Sequence, residues 1–207
     1  MVTYGVRIYH YPSRLVLIPS KRVDKSLNYS PSKELGIRID DMWRHRNPRE
    51  VGLVSEIIAI EVISGGQMRI GKRQWPLSCQ SFNSFADSNK MLLIPTFGMR
   101  SDDIIAVATT DRERLIFVTE SKGTTRRVGF PHVVEAKIFY QLPRTVERLN
   151  AELARTKIKN LSFGGAISFQ VNHYTKAITI NVLDSSSSLA TTPPDPWMYK
   201  DRSGALE

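Results

Sequence analysis

Asp103, Glu120 and Lys122 are the side chains whose types and spacing best fit a chemical site. Two apolar runs, Ile104 to Ala108 and Leu115 to Val118, are rich in the branched and aromatic residues that suit a pleated surface, and polar residues 109–114 separate them. They read as two strands of one antiparallel hairpin. With Asp111-Arg112 as a two-residue loop, Asp103 stands opposite Glu120, with Cβ atoms about 5 Å apart. Asp-Arg is a poor pair for a primed turn, so a longer loop with a small register shift stays open. Alternation along the second strand places Ile116, Val118, Glu120 and Lys122 on one face. Close carboxylates repel unless one is protonated or a cation lies between them. A hard divalent ion with oxygen ligands, Mg²⁺ or alternatively Mn²⁺, answers that need. Held by Asp103, Glu120 and the Ser121 carbonyl, such an ion polarises a phosphodiester and lowers the pKa of its bound water. Lys122 then orients that water or neutralises charge developing on phosphate. The plain alternative is a salt-bridged strand end.

An acid-x-Lys tripeptide is common by chance in a chain of this composition. A second copy, Glu135-Ala136-Lys137, falls in a helical pattern and is background. Context distinguishes the first copy: an apolar strand leads into Glu120, Asp102-Asp103 opens the strand before it, and Gly123 follows. Ser101-Asp102-Asp103 with Glu120-Ser121-Lys122 resembles the PD-(D/E)XK nuclease superfamily. The resemblance implies an α/β protein with a restriction-endonuclease-like core, a central mixed β-sheet flanked by helices. It also implies that Asp103 and Glu120 are metal ligands and Lys122 the catalytic lysine. Asp102 occupies the place where the family often has proline.

The composition is that of a basic globular domain. The 207 residues are 41% hydrophobic and 24% charged, as in an ordinary globular domain, with a formal charge of +9. The tail from Asp184 is net acidic, so the body is more basic than the whole. That points to a polyanionic partner, DNA for a nuclease. No apolar run approaches the ~18 residues of a membrane span, and no secretory pattern opens the chain. A cytoplasmic protein without a membrane partner is expected. The lone Cys79 excludes an intrachain disulfide and reads as a buried small residue.

Three segments follow from local pattern: 1–46 as an N-terminal β-hairpin and basic arm, 47–184 as the nuclease-like core, and 185–207 as a flexible tail. Val2 to Tyr11 and Arg14 to Ile18 read as the hairpin strands, and Arg44, His45 and Arg46 as the basic part of the arm. Asn47-Pro48-Arg49-Glu50 supplies helix-starting chemistry. The apolar run from Val51 to Ile63 then ends at Gly65-Gly66. Glu56 sits among Leu53, Ile57 and Ile60, needing a partner or a metal unless it lies on an exposed edge. By the family resemblance Glu56 completes the metal site, with Glu61 as the competing candidate.

Residues 67–98 mix charge and aromatics without a clear period. The sequence leaves two readings of them open: a DNA-contacting insertion that includes Arg73, as the same resemblance implies, or a sheet strand, with Met91 to Ile94 the best candidate. After the hairpin, Gly123 to Arg127 offers amides, hydroxyls and the guanidiniums of Arg126 and Arg127 for phosphate contact, against the plainer reading of a solvated loop. A helical pattern runs from Pro131 to about Thr156, with Lys137 and Gln141 one turn apart; Gln141 resembles the family's glutamine near the site. Ala166 to Val171 and Ala177 to Leu183 read as a closing hairpin with His173 near its turn, a loop residue rather than a catalytic one. No phosphate-binding glycine loop, zinc-protease pair or serine elbow appears. The function these readings imply is metal-dependent DNA endonuclease, with a non-catalytic nucleic-acid-binding protein as the alternative. Symmetric cutting of two strands favours a homodimer.

Overall fold

The computed structural model describes residues 2–11, 14–20, 23, 25–29, 48–89, 104–125, 127, 149, 151, 153–155 and 158–184. Alternating apolar residues build nine strands: β1 (Val2–Tyr11), β2 (Leu15–Ile18), β3 (Ser26–Tyr29), β4 (Gln67–Ile70), β5 (Arg73–Ser81), β6 (Ile104–Thr109), β7 (Arg114–Thr124), β8 (Leu161–Asn172) and β9 (Ala177–Asp184). Helices α1 (Pro48–Ile63) and α2 (Phe82–Ser88) interrupt them, and Leu149, Ala151 and residues 153–155 are also helical.

All nine strands join one sheet in the order β2-β4-β5-β6-β7-β8-β9-β1-β3. β7 with β8 and β1 with β9 are parallel pairs, and the remaining pairs are antiparallel. This corrects the expected architecture. The protein is mostly β, a single mixed sheet curled into a half-barrel with few helices, and not a restriction-endonuclease-like central sheet flanked by helices. The physical reason lies in where the extra strands go. β1 and β2 do not pair with each other as a hairpin; β1 inserts between β9 and β3, while β2 pairs with β4 at the other end. Residues 67–81 form a hairpin that continues the sheet through β5 and β6. With so many strands, accumulated twist curls the sheet. The Leu17 N–H donates to His10 Nε2 at 3.1 Å, tying β2 back to β1.

The curl encloses the larger core. Val51, Val54, Ile58, Ala59 and Val62 of α1 pack inside with Tyr4, Met68, Trp75, Phe117, Phe169 and Ile180. Gly65, at φ 75°, then turns the chain out of the helix in the left-handed conformation that favours glycine. The outer face carries a smaller cluster, in which Phe82 and Phe85 of α2 and Leu149 cover Ile105, Val107, Ile116 and Val118. β7 thus has apolar contacts on both faces: odd-numbered residues look toward α1, and even-numbered ones toward α2 and Leu149. Cys79 packs against the inner core, and burial pushes its thiol up to about 12. A thiol reagent at pH 8 should therefore modify the native protein about a hundredfold or more slower than the denatured chain, measured as the rate of colour release.

Candidate functional site

The β6–β7 hairpin has the register expected from its sequence. Ile105 pairs with Val118, Val107 with Ile116 and Thr109 with Arg114. The turn tip is Asp111-Arg112, closed by a bond from the Thr110 N–H to the Glu113 carbonyl at 2.8 Å. The Thr110 hydroxyl oxygen accepts from the Glu113 N–H at 3.0 Å, which steadies a loop lacking favourable primed-turn residues. The Thr119 hydroxyl donates to the Ile104 carbonyl, so the strands remain together at the end nearest Glu120. Asp103, expected opposite Glu120, lies outside the described residues.

Glu120 and Lys122 share the outer face of β7 and form a direct ion pair, with side chains 25% and 29% exposed. The pair is partly screened from solvent, so its mutual attraction exceeds that of a fully exposed pair. The rest of the expected set is less convergent. Glu56 is exposed on α1, which packs on the inner face of β7, so strand alternation separates its helix from the face bearing Glu120. Glu61 lies on the same helix. Gly123, expected in a phosphate-contacting loop, is instead a strand residue under α1. A Cβ there would stand 2.2 Å from Ser55 Oγ and 2.9 Å from the Val51 carbonyl oxygen, so glycine is what lets helix and strand touch.

Arg127 is exposed just beyond the end of β7. Arg73 is exposed at the far end of β5: Ser81 pairs with Ile104, and Arg73 begins the strand eight residues earlier. At ~3.3 Å per residue it is about 25 Å from the Glu120 end of the hairpin. The structure does not bring it to this cluster. Arg126, Lys137 and Gln141 lie outside the described residues, as does Met91 to Ile94. Among the described residues, no group of three His, Cys, Asp or Glu side chains comes together as a metal site.

No family model, curated protein or solved structure matches the chain. Its chemistry therefore follows from its own residues.

The outer face of the sheet beside the ion pair is polar in an ordered way, although its middle is buried. Across β7, β8, β9 and β1, one row runs Glu120, Ser168, Asn181, Tyr9, and the next runs Lys122, Gln170, Thr179, Arg7. Ser168, Gln170 and Asn181 are 1%, 6% and 6% exposed, and Asn181 Nδ2 donates to Ser168 Oγ at 3.2 Å. Tyr9 and Arg7 lie in the open. Sequence reasoning placed these residues in strands and drew no site from them. The signal was present in Ser168, Gln170, Thr179 and Asn181, which fall on one face of the closing hairpin.

A second polar group was missed inside the barrel. His173 lies in the turn between β8 and β9, as expected, but is fully buried. The Ser55 hydroxyl donates to the Val51 carbonyl at 2.6 Å, so its oxygen is left to accept from His173 Nε2–H at 2.9 Å. His173 Nδ1 is then the acceptor for the Tyr4 hydroxyl at 2.9 Å. The Tyr4 and His173 rings also meet edge to face, with centroids 5.8 Å apart. Burial, followed by the charge of Lys176, lowers the His173 pKa to about 4, against a smaller opposing effect of the Val51 backbone. Ser55 is fully buried and its proton is committed to Val51, so this chain joins β1, α1 and the β8–β9 turn structurally rather than forming a nucleophilic serine site.

Proposed function

We propose that the protein is a metal-dependent hydrolase of nucleic-acid phosphodiester bonds, acting on DNA. The observation that carries this reading is the Glu120–Lys122 pair, side by side on one face of β7. The proposal rests on these residues and the basic charge, not on the fold. A single carboxylate already paired with lysine is a weak divalent site. Asp103, adjoining Ile104, is the second oxygen ligand that the chemistry requires, and Glu120 with Asp103 would hold Mg²⁺ or Mn²⁺. When bound, the ion supplies a Lewis acid and a water of lowered pKa. Lys122, adjoining the Glu120 carboxylate, offers its ammonium to a non-bridging phosphate oxygen, where negative charge grows during attack. Arg127 and Arg126 follow at the strand end and hold the backbone through phosphate contacts.

Incubating plasmid, linear duplex and single strands with Mg²⁺, Mn²⁺ or chelator tests the reading. Cleavage should require the metal. Glu120→Ala should abolish it and the calorimetric metal signal, whereas Lys122→Ala should stop cleavage with metal binding retained. Affinity should fall steeply from ~50 to ~200 mM salt as counterion release weakens. Wild-type-like cleavage by folded Glu120→Ala would refute the assignment. Binding in chelator with no cleavage in either metal would leave the nucleic-acid-binding alternative, which the Glu120–Lys122 pairing itself favours. If both strands are cut through one site per chain, two chains should assemble, and sedimentation on duplex would detect them.

A further inference from the structure

We propose that Glu120 is a built-in competitor for phosphate: at rest its carboxylate holds the Lys122 ammonium, and Lys122 is released to a nucleic-acid backbone when Glu120 turns to a divalent cation. This rests on the hydrolase reading above and adds how that site is regulated.

The pair is isolated in charge. Glu120 and Lys122 stand two residues apart on the outer face of β7, about 7 Å along the strand, so their side chains meet without leaving the sheet. β6 and β8, the strands on either side, carry no charged residue. The immediate neighbours on β8 are Ser168 and Gln170, both neutral and buried. Among the described residues, each member of the pair is therefore the other's ionic partner, and no third charge shares it. With 25% and 29% of their side chains exposed, the two are within reach of a ligand, yet water does not fully replace either partner when they part.

A carboxylate and a phosphodiester present the same feature to an ammonium, a negatively charged oxygen acceptor. A phosphate that takes Lys122 must therefore displace Glu120, and it leaves that carboxylate uncompensated beside a second negative group. A divalent cation at Glu120 removes both obstacles, since it neutralises the carboxylate and adds attraction for the phosphate. Cation and polyanion then strengthen each other's binding by the same factor, because linkage is reciprocal. A pair that only balanced charge on the sheet would leave Lys122 equally available with and without the cation.

Two measurements on the full chain test this. In the first, Lys122 is acetylated with an amine-reactive ester, and mass spectrometry follows its rate against that of Lys72, which is exposed in the turn between β4 and β5. Glu120→Gln should raise the Lys122 rate about fivefold relative to Lys72. Mg²⁺ should raise it in the wild type and not in Glu120→Gln. In the second, fluorescence anisotropy reports binding of labelled duplex DNA in chelator at ~50 mM salt, so that cleavage plays no part. Glu120→Gln should tighten binding about fivefold or more, whereas the same substitution in a Lys122→Met background should change it less than about twofold. Glu113→Gln, exposed at the hairpin tip, controls for the loss of one negative charge and should have as small an effect. Acetylation needs no Lys122 variant, so it decides even if Lys122→Met fails to fold. Equal Lys122 acetylation in wild type and Glu120→Gln, a wild-type rate indifferent to Mg²⁺, or equal tightening in both backgrounds would overturn the competitor. Coupled variants without cleavage in either metal would sink the hydrolase reading and keep the competitor. Glu120-dependent cleavage with uncoupled variants would do the reverse.

Discussion

Gly165→Ala should leave almost no folded protein. β8 carries an extra residue opposite β7, where Ile116 pairs with Phe163 but Phe117 pairs with Gly165. Gly164 is the residue passed over, and the Phe117 ring lies so close that a Cβ on Gly164 would meet it at 2.6 Å. This bulge sends Gly165 to φ 143°, a conformation that side chains rarely adopt. A Cβ at Gly165 would stand 2.0 Å from the Leu183 carbonyl oxygen and 3.2 Å from the Asp184 Cα. Both obstacles are backbone of β9, so the clash cannot be relieved by a rotamer change. Relief requires parting β8 from β9. Strain plus loss of that pairing should exceed ~4 kcal/mol, the range in which single substitutions consume most of a domain's stability. Soluble yield and the urea midpoint give the readout. Gly52→Ala on α1 is the control, because a Cβ there meets nothing within 4 Å. It should stabilise the helix by roughly 0.5–1 kcal/mol.

Acidification should unfold the protein over a defined window, with His173 as a principal cause. Its pKa is about 4 when folded and near the usual 6.5 when the chain is open. The unfolded state therefore binds more protons between those values, so stability is fully present above about pH 6.5 and is lost as pH falls toward 4. The gap corresponds to about 3 kcal/mol. Protonation would place a hydrogen on Nδ1, where the Tyr4 hydroxyl needs an acceptor. His10 contributes in the same direction: burial lowers its pKa, and a proton on Nε2 would displace the Leu17 N–H bond that helps close the barrel. Urea midpoints at pH 7 and pH 4.5 should differ accordingly. His173→Gln should be less stable at pH 7 yet show a smaller difference between the two pH values. An unchanged difference would show that His173 does not drive the acid transition.

Local pattern carried much of this into the sequence, and distant pairing carried the rest. α1 was legible because Pro48 and Glu50 open an apolar run that Gly65 closes. The β6–β7 register followed from alternation around Asp111-Arg112, so the proximity of Glu120 and Lys122 was legible too. β5 was hidden because Pro76 sits within it and Lys72 and Arg73 lead into its inward pair, Trp75 and Leu77. The half-barrel was hidden for a different reason. Nothing near Val6 specifies pairing with Ile178 rather than with β2, and the expected family core supplied the wrong sheet. His173 resembled a loop residue because Tyr4 and Ser55, which bury and bond it, are distant in sequence. Gln170 and Asn181 lacked distinction until register placed them beside Lys122 and Tyr9.

The parallel pairing of Gly5 to Tyr11 with Ala177 to Leu183 also sets an order in time. During synthesis at ~5–20 residues per second, β1 emerges roughly ten to thirty seconds before the strand that will lie beside it. Until then Tyr4, Val6 and Ile8 belong to a strand with an open flank, a template for pairing with another nascent chain. Loop closure over nearly the whole body makes this contact slow to form compared with the local β6–β7 and β8–β9 hairpins. Those hairpins can form first and leave β9 as the edge onto which β1 docks. The last strand of the sheet to be translated is thus the one that admits the first.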